Sequence, residues 1–268
     1  MWGVLNVTPD SFSDGGRFDS TDRAVEHARK MHAQGADVID VGGESTRPGA
    51  GRIAVEQELQ RVIPVIEVLA REGVAVSIDT MRSQVAAAAV ESGAVIVNDV
   101  SGGLADPKMH SVVAELDVPY VIMHWRGHSD RMEELAVYED PVRQVCEEVE
   151  KRVQAAELAG IERIIVDPGI GFAKDSAHNW ALLRSIDHLV GLGRPILVGA
   201  SRKRFLGALL ADQDGHPRDA DGRDVASAAL SALLAFSTPL WGLRVHDVQA
   251  TVDAVKVAHA MKASEGET

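Results

Sequence analysis

The chain has 268 residues, with 46% in the hydrophobic set, 25% charged and only 4% aromatic, the proportions of a soluble globular protein able to bury a core without disulfide support. Its formal net charge of −13 excludes a general binder of nucleic acid or anionic membrane surfaces and leaves room for a local cationic pocket. The single cysteine, Cys146, excludes an internal disulfide; with no signal-like N-terminus and no apolar run of about 18 residues, the chain reads as mature, soluble and cytoplasmic, beginning close to its first strand.

Short apolar runs alternate with amphipathic stretches along the whole sequence. The first run, Trp2 to Val7, ends in Asn6-Val7-Thr8-Pro9-Asp10-Ser11-Phe12-Ser13-Asp14-Gly15-Gly16. The second, Asp37 to Val41, leads into Gly42-Gly43-Glu44-Ser45-Thr46-Arg47-Pro48-Gly49. Val55, Leu59, Val62, Ile63, Ile66 and Leu69 then repeat at helical spacing, and Pro64 among them predicts a kink or boundary. Strand three, Ala75 to Asp79, ends Ser77-Ile78-Asp79-Thr80, and strand four, Val95 to Val100, ends Asn98-Asp99-Val100-Ser101-Gly102-Gly103. Strand five is Pro119 to His124; after it Val142, Val145, Val149, Val153 and Ala156 stripe a long helix that stops near Gly160. Glu147, Glu148, Glu150, Lys151 and Arg152 on that helix read as a solvated face, and Cys146 as packed or idle. Strand six, Arg163 to Asp167, continues into Pro168-Gly169-Ile170-Gly171-Phe172. Strand seven, Pro195 to Val198, runs into Gly199-Ala200-Ser201-Arg202-Lys203-Arg204-Phe205. The polar stretch Asp212 to Asp224 reads as a surface loop, and strand eight, Trp241 to His246, carries Arg244-Val245-His246-Asp247.

Eight strand-then-helix units of roughly 33 residues fit a single (β/α)₈ TIM barrel spanning residues 1–268. The strands are nearly all apolar, as a parallel sheet covered on both faces requires. A doubly wound open sheet stays as the alternative, because periodicity fixes the alternation and not the closure. In a barrel the chemistry sits at the C-terminal strand ends. Seven of the eight ends carry a polar or glycine motif that packing does not need.

Singly, each motif has a plain structural explanation: a strand-end Asp or Asn is a turn former or helix cap, and a glycine-rich loop is a turn. Jointly they point elsewhere. Asp79, Asn98 and Asp167 supply the acceptors and the amide donor that grip the edge of a flat nitrogen heterocycle, and Lys203 adds a donor for a ring carbonyl or nitrogen. Arg47, Arg202, Arg204, Arg244 and His246 are candidates for an anionic group such as phosphate. The sequence has no Walker A motif, no dinucleotide glycine fingerprint after a strand and no zinc-type Cys/His cluster.

Together, the Asn6–Gly16 and Gly42–Gly49 segments, Asp79-Thr80, Asn98-Asp99, Asp167–Phe172, Ser201-Arg202-Lys203 and Arg244–Asp247 resemble dihydropteroate synthase, from about residue 3 to residue 257. Met123-His124-Trp125-Arg126-Gly127 is similar to its actinobacterial branch. The resemblance implies a transferase of folate biosynthesis and a sulfonamide target. Its reaction joins 6-hydroxymethyl-7,8-dihydropterin diphosphate to 4-aminobenzoate, giving 7,8-dihydropteroate and diphosphate. By the same resemblance Asp79, Asn98, Asp167 and Lys203 hold the pterin, with Met123 packed near it. Asn6 coordinates Mg²⁺ on the diphosphate, and Arg244 and His246 grip that leaving group. Thr46 binds substrate from the second loop; Phe12, Pro48 and Phe172 flank the aminobenzoate ring, with Ser201 near its carboxylate. Asp79, Lys203 and Asp14 are the catalytic candidates, and the family implies a homodimer.

Two positions depart from the pattern: the chain starts almost on strand one, and Arg204 stands where many relatives place a small residue. Two rival readings remain, a corrinoid-linked methyltransferase pterin domain and a non-catalytic pterin-binding paralogue. Ser201-Arg202-Lys203 with Arg244-Val245-His246 disfavours the first, which has no diphosphate to expel, and Asn6, Asp14, Lys203 and His246 disfavour the second.

Overall fold

The computed structural model describes residues 1–8, 17–45, 51–128 and 131–263. In chain order the elements are β1 (Trp2–Asn6), α1 (Arg17–Ala33), β2 (Val38–Gly42), α2 (Val55–Arg71), β3 (Val76–Asp79), α3 (Ser83–Glu91), β4 (Ile96–Asp99), α4 (Met109–Leu116) and β5 (Tyr120–Met123). They continue with α5 (Pro141–Leu158), β6 (Ile164–Asp167), α6 (Ser176–Arg184), α7 (Asp187–Val190), β7 (Leu197–Val198), α8 (Arg204–Leu209), α9 (Asp224–Ser237), β8 (Gly242–Val245) and α10 (Val248–Lys262). All eight expected strands form; β2 is shifted one residue forward, to Val38–Gly42, and the others are shorter than expected at one or both ends.

The strands pair in parallel in the order β6-β5-β4-β3-β2-β1-β8-β7. A parallel bridge from Val166 to Ile196 joins the two ends of that series, and Val166 N donates to Pro195 O at 2.9 Å. The sheet therefore closes into a (β/α)₈ TIM barrel, which removes the open-sheet alternative.

Between sheet and helices lies the main core, where Leu5, Ile39, Ile66, Leu69, Tyr120 and Leu182 are almost wholly buried. The helices form where their apolar stripes meet it. Helix α5 starts at Asp140, whose side chain accepts from Arg143 N at 3.1 Å, and buries Val145, Val149, Val153 and Ala156. Cys146 packs against the same core. Helix α2 runs unbroken through Pro64, so the expected boundary is absent. Pro64 and Gln60 are both exposed, so water can serve the carbonyl that loses its helical donor there. The Asp212–Asp224 stretch is only partly loop: Ala220–Arg223 form a 3₁₀ turn and Asp224 opens α9.

Inside the barrel the two-residue pleat divides each strand into levels. Trp2, Val38, Ile96, Val121, Ile165 and Leu197 form an apolar plug on the lower level. Two residues further along the last five of these strands stand Asp40, Asn98, Met123, Asp167 and Gly199, and Asn6 ends β1. Among the described residues no helix is long and apolar enough to cross a membrane.

Candidate active site

The upper level is a polar layer built at the strand ends. Asp40 is fully buried, and Asn98, Asp167 and Asp79 are 4%, 6% and 8% exposed. Burying carboxylates at this depth is costly unless charge and hydrogen bonds compensate. Arg244 from β8 supplies the charge: its Nε donates to Asp40 Oδ2 and its Nη2 to Asp79 Oδ2, each at 2.5 Å. Asn98 Nδ2 donates to the same Asp40 oxygen at 2.9 Å. Asp40 Oδ1 is buried with no hydrogen-bond partner among the described residues, a position that calls for a ligand donor or a water.

Asp167 is tied down differently, accepting from Gly169 N at 2.7 Å. Lys203 lies 4.1 Å from the Phe172 ring centroid by its Nζ, in cation–π contact. The backbone at Gly171 has φ +80°, and a Cβ there would come within 2.9 Å of Lys203 Cδ. Only glycine fits that approach. Met123, 4% exposed, packs with Phe172 in a small apolar cluster. Ser201 Oγ accepts from His246 N at 3.2 Å and stands 3.1 Å from its Nδ1.

Two positions beside the polar layer carry no side chain, Gly42 at the end of β2 and Gly199 just after β7. A Cβ on Gly42 would stand 3.7 Å from Asp79 Oδ2 and 3.8 Å from Asn6 Oδ1. One on Gly199 would stand 3.5 Å from Asp167 Oδ2 and 3.9 Å from Arg244 Cβ. These bare positions keep space open beside both carboxylates. Acceptors at Asp79 and Asp167, an amide at Asn98, a donor at Lys203 and apolar contact at Met123 and Phe172 make that space suitable for a flat heterocycle.

The titrations reflect the crowding. Burial, opposed by Arg244 and aided by the Asp40 charge, raises Asp79 to about 7. Burial also pushes Asp167 up, against the Gly169 amide and the Lys203 charge. Lys203 falls to about 8 through burial and the nearby Arg244 charge. For Arg244 burial works against the charge, and Asp40 and Asp79 overcome it and hold the guanidinium protonated.

The structure thus brings Asn6, Asp79, Asn98, Met123, Asp167, Phe172, Ser201, Lys203, Arg244 and His246 to the C-terminal end of one barrel. Phe12, Asp14, Thr46, Arg47 and Pro48 lie outside the described residues. The arginines expected to meet an anionic group need correction, because those described are paired with carboxylates. Arg202, in the left-handed region at φ 59°, donates from Nε and Nη2 to Asp224 at 2.7 and 2.8 Å and from Nη1 to Asp221 at 2.8 Å. Arg204 is exposed and paired with Glu133 at 2.7 Å. Arg244 sits within the polar layer. Sequence reasoning passed over Asp40, whose signal was a carboxylate inside the apolar run Val38-Ile39-Asp40-Val41. It also passed over Glu148, which is only partly exposed and bonds His124 Nε2 at 3.0 Å and Arg126 Nη2 at 2.6 Å.

The sequence pattern of the pterin binding enzyme family matches residues 2–246. The chain is 55% identical to the dihydropteroate synthase of Mycobacterium leprae over 96% of this chain and 92% of that one. The structure of Xanthomonas albilineans dihydropteroate synthase with 4-aminobenzoic acid superposes with a TM-score of 0.90 at 44% identity, covering 98% of this chain and 93% of that one. The same enzyme in complex with 7,8-dihydropteroate gives 0.87 at 41% identity, again over 98% and 93%.

Proposed function

The chain belongs to the dihydropteroate synthase family of pterin binding enzymes, and we propose that its barrel mouth joins a dihydropterin methyl diphosphate to 4-aminobenzoate, releasing diphosphate. One observation supports the assignment of the site: Asp79, Asn98 and Asp167 are buried together at the strand ends, with the bare positions Gly42 beside Asp79 and Gly199 beside Asp167. In that reading the two carboxylates accept the ring N–H groups, the Asn98 amide meets the ring edge and Lys203 donates to the ring carbonyl or a ring nitrogen. Met123 packs near the pterin. Phe172 lies along the aminobenzoate ring, with Phe12 and Pro48 completing that subsite, Thr46 binding substrate from its loop and Ser201 near the carboxylate.

The reaction breaks the bond from the pterin methylene carbon to the diphosphate oxygen, and the electron pair leaves with diphosphate. The arylamine nitrogen forms the new bond to carbon and then loses a proton. An arylamine is neutral at pH 7, so no strong base is required of the protein. The electron-rich ring supports positive charge on the methylene carbon, and the Asp79 carboxylate favours that charge. Arg244 and His246 favour departure of the diphosphate, and Asp14 belongs to the loop that completes the site. Asn6, half-buried at the end of β1 beside bare Gly42, offers the neutral hard oxygen that Mg²⁺ accepts as a single protein ligand alongside phosphate oxygens. When bound there, the ion supplies charge neutralisation on the leaving group.

A coupled assay of diphosphate release tests the assignment. Release is expected only with both substrates present; equal release without 4-aminobenzoate would mark a hydrolase and reject the synthase reading. We also infer a homodimer, supported by the outer faces of α9 and α10, where Val225, Leu233, Phe236, Val257 and Met261 are exposed. Light scattering of Leu233→Glu beside the parent chain checks it: loss of mass by half supports the pairing. The lone cysteine suits a cytoplasmic setting.

A further inference from the structure

Between β6 and α6 the chain crosses the barrel mouth in a short loop with three left-handed residues, Gly169, Gly171 and Ala173, at φ 66°, 80° and 46°. Such a backbone points carbonyl groups inward, away from any strand ladder. Two of them are met by Lys174, which follows immediately. Its Nζ donates to Gly169 O and to Phe172 O, both at 3.0 Å, and lies 2.8 Å from His124 Nδ1. An ammonium has three protons, and here it finds three acceptors. Lys174 is only 9% exposed, so it serves its own loop and not the surface; burial lowers it to about 7, with the Asp167 charge working the other way.

The third acceptor is itself fixed. Burial, with Lys174 beside it, lowers His124 to about 4, which keeps the ring neutral. With Nδ1 accepting from the lysine, the ring proton sits on Nε2 and is donated to Glu148 Oε2 at 3.0 Å. Glu148 also accepts from Arg126 Nε at 3.0 Å. Although burial works against the Glu148 charge, the bonds from His124 and Arg126 bring it down to about 2. The chain Arg126–Glu148–His124–Lys174 therefore runs from α5 and the end of β5 into the loop after β6. Asn179 holds the loop from α6, accepting from Gly171 N at 2.7 Å.

We propose that Lys174 is a positioning residue of the synthase, acting through the Gly169 and Phe172 carbonyls to fix the Phe172 ring against Lys203 and so shape the aminobenzoate subsite. The inference rests on the synthase reading above. It separates the two substrates. Asp167 ends β6 and accepts from the Gly169 amide with no bond to the lysine; it feels Lys174 only as one of several charges that lower it, so the pterin side is expected to shift less when the lysine is removed. Phe172 packs with Met123 and Ala173 but takes its backbone position from the loop that Lys174 ties through the Phe172 carbonyl, so the aminobenzoate side shifts more.

The test compares the parent enzyme with Lys174→Met in steady state, varying each substrate in turn. KM for 4-aminobenzoate is expected to rise about tenfold or more, while KM for the pterin diphosphate stays within about twofold. Both KM values unchanged, or both shifted equally, would overturn the proposal. Should Lys174→Met fail to fold, two variants at His124 decide. His124→Asn keeps an acceptor for the lysine and His124→Leu removes it, so the Leu variant is expected to show an aminobenzoate KM about threefold above that of the Asn variant. Equal values in the two would overturn the proposal, since a purely structural role for the ring does not distinguish them. Absence of turnover in the parent enzyme would reject the synthase reading and this inference with it; normal parent turnover with unchanged variants would reject the inference alone.

Discussion

The lower and upper levels of the barrel interior are made by the same strands two residues apart, yet they are opposites. Below, Val38, Ile96, Val121, Ile165 and Leu197 close the barrel with an apolar plug. Above, Asp40, Asn98, Met123, Asp167 and Gly199 leave charge, hydrogen-bonding groups and open space. One pleat repeat separates the part of each strand that stabilises the fold from the part proposed to meet the substrate. The lower level gains from losing water, at about 25 cal/mol per Å² of apolar surface. The upper level bears the cost of buried charge, offset within the protein by Arg244.

Substitutions on the two levels should therefore fail in different ways. The largest effect is expected for Lys203→Ala, which removes a donor that also packs on Phe172: kcat/KM falls about 1,000-fold, roughly 4 kcal/mol of transition-state stabilisation. Its thermal midpoint stays near the parent value. Asp167→Asn is expected to follow it. A folded Lys203→Ala enzyme with parent kinetics would break the contrast from above. Ile165→Ala should do the reverse, costing about 3 kcal/mol of stability in denaturant titration with turnover of the folded fraction kept. Loss of turnover with unchanged stability there would break it from below.

A smaller and more discriminating effect comes from Gly42→Ala. Its added methyl group meets neighbours only at 3.5 Å and beyond, so the fold tolerates it, yet it enters the open space beside Asp79. An activity loss of about tenfold without a change in thermal midpoint is expected. The mildest test is pH. Asp79 must be ionised to accept a ring N–H, and Lys203 must be protonated to donate. The profile of kcat/KM for the pterin substrate should therefore fall below about 7 and again above about 8. Asp79→Asn should flatten the acid limb; an unchanged limb would remove Asp79 from that role.

Much of this could be read from the residues. The eight strands were visible because a doubly covered sheet writes itself as apolar runs, and the site because polar motifs recur where those runs stop. Closure was not visible, since it depends on the Val166–Ile196 bridge between segments about 30 residues apart. Neighbouring polar residues were also confounded. Asn98 faces the barrel interior, whereas Asp99 accepts from Ser101 N, Ser101 Oγ, Gly103 N and Tyr120 Oη and organises the following turn. Glu148 looked like its helical neighbours because its partners, His124 and Arg126, come from another element. Arg202 looked like an anion ligand because the left-handed turn that accompanies its pairing with α9 leaves no mark in the sequence.

The place where the barrel closes has one more consequence. The β6–β7 junction is an isolated bridge, and β7 has only two residues, so this seam is the thinnest part of the wall. Asp167 ends the strand on one side of it, and Ser201 and Lys203 follow the strand on the other. A ring gripped by both sides, as proposed above, would stitch the seam from within. Ligand affinity and wall integrity then become linked quantities: filling the pocket should slow amide exchange at Val166 and raise the melting temperature as occupancy rises.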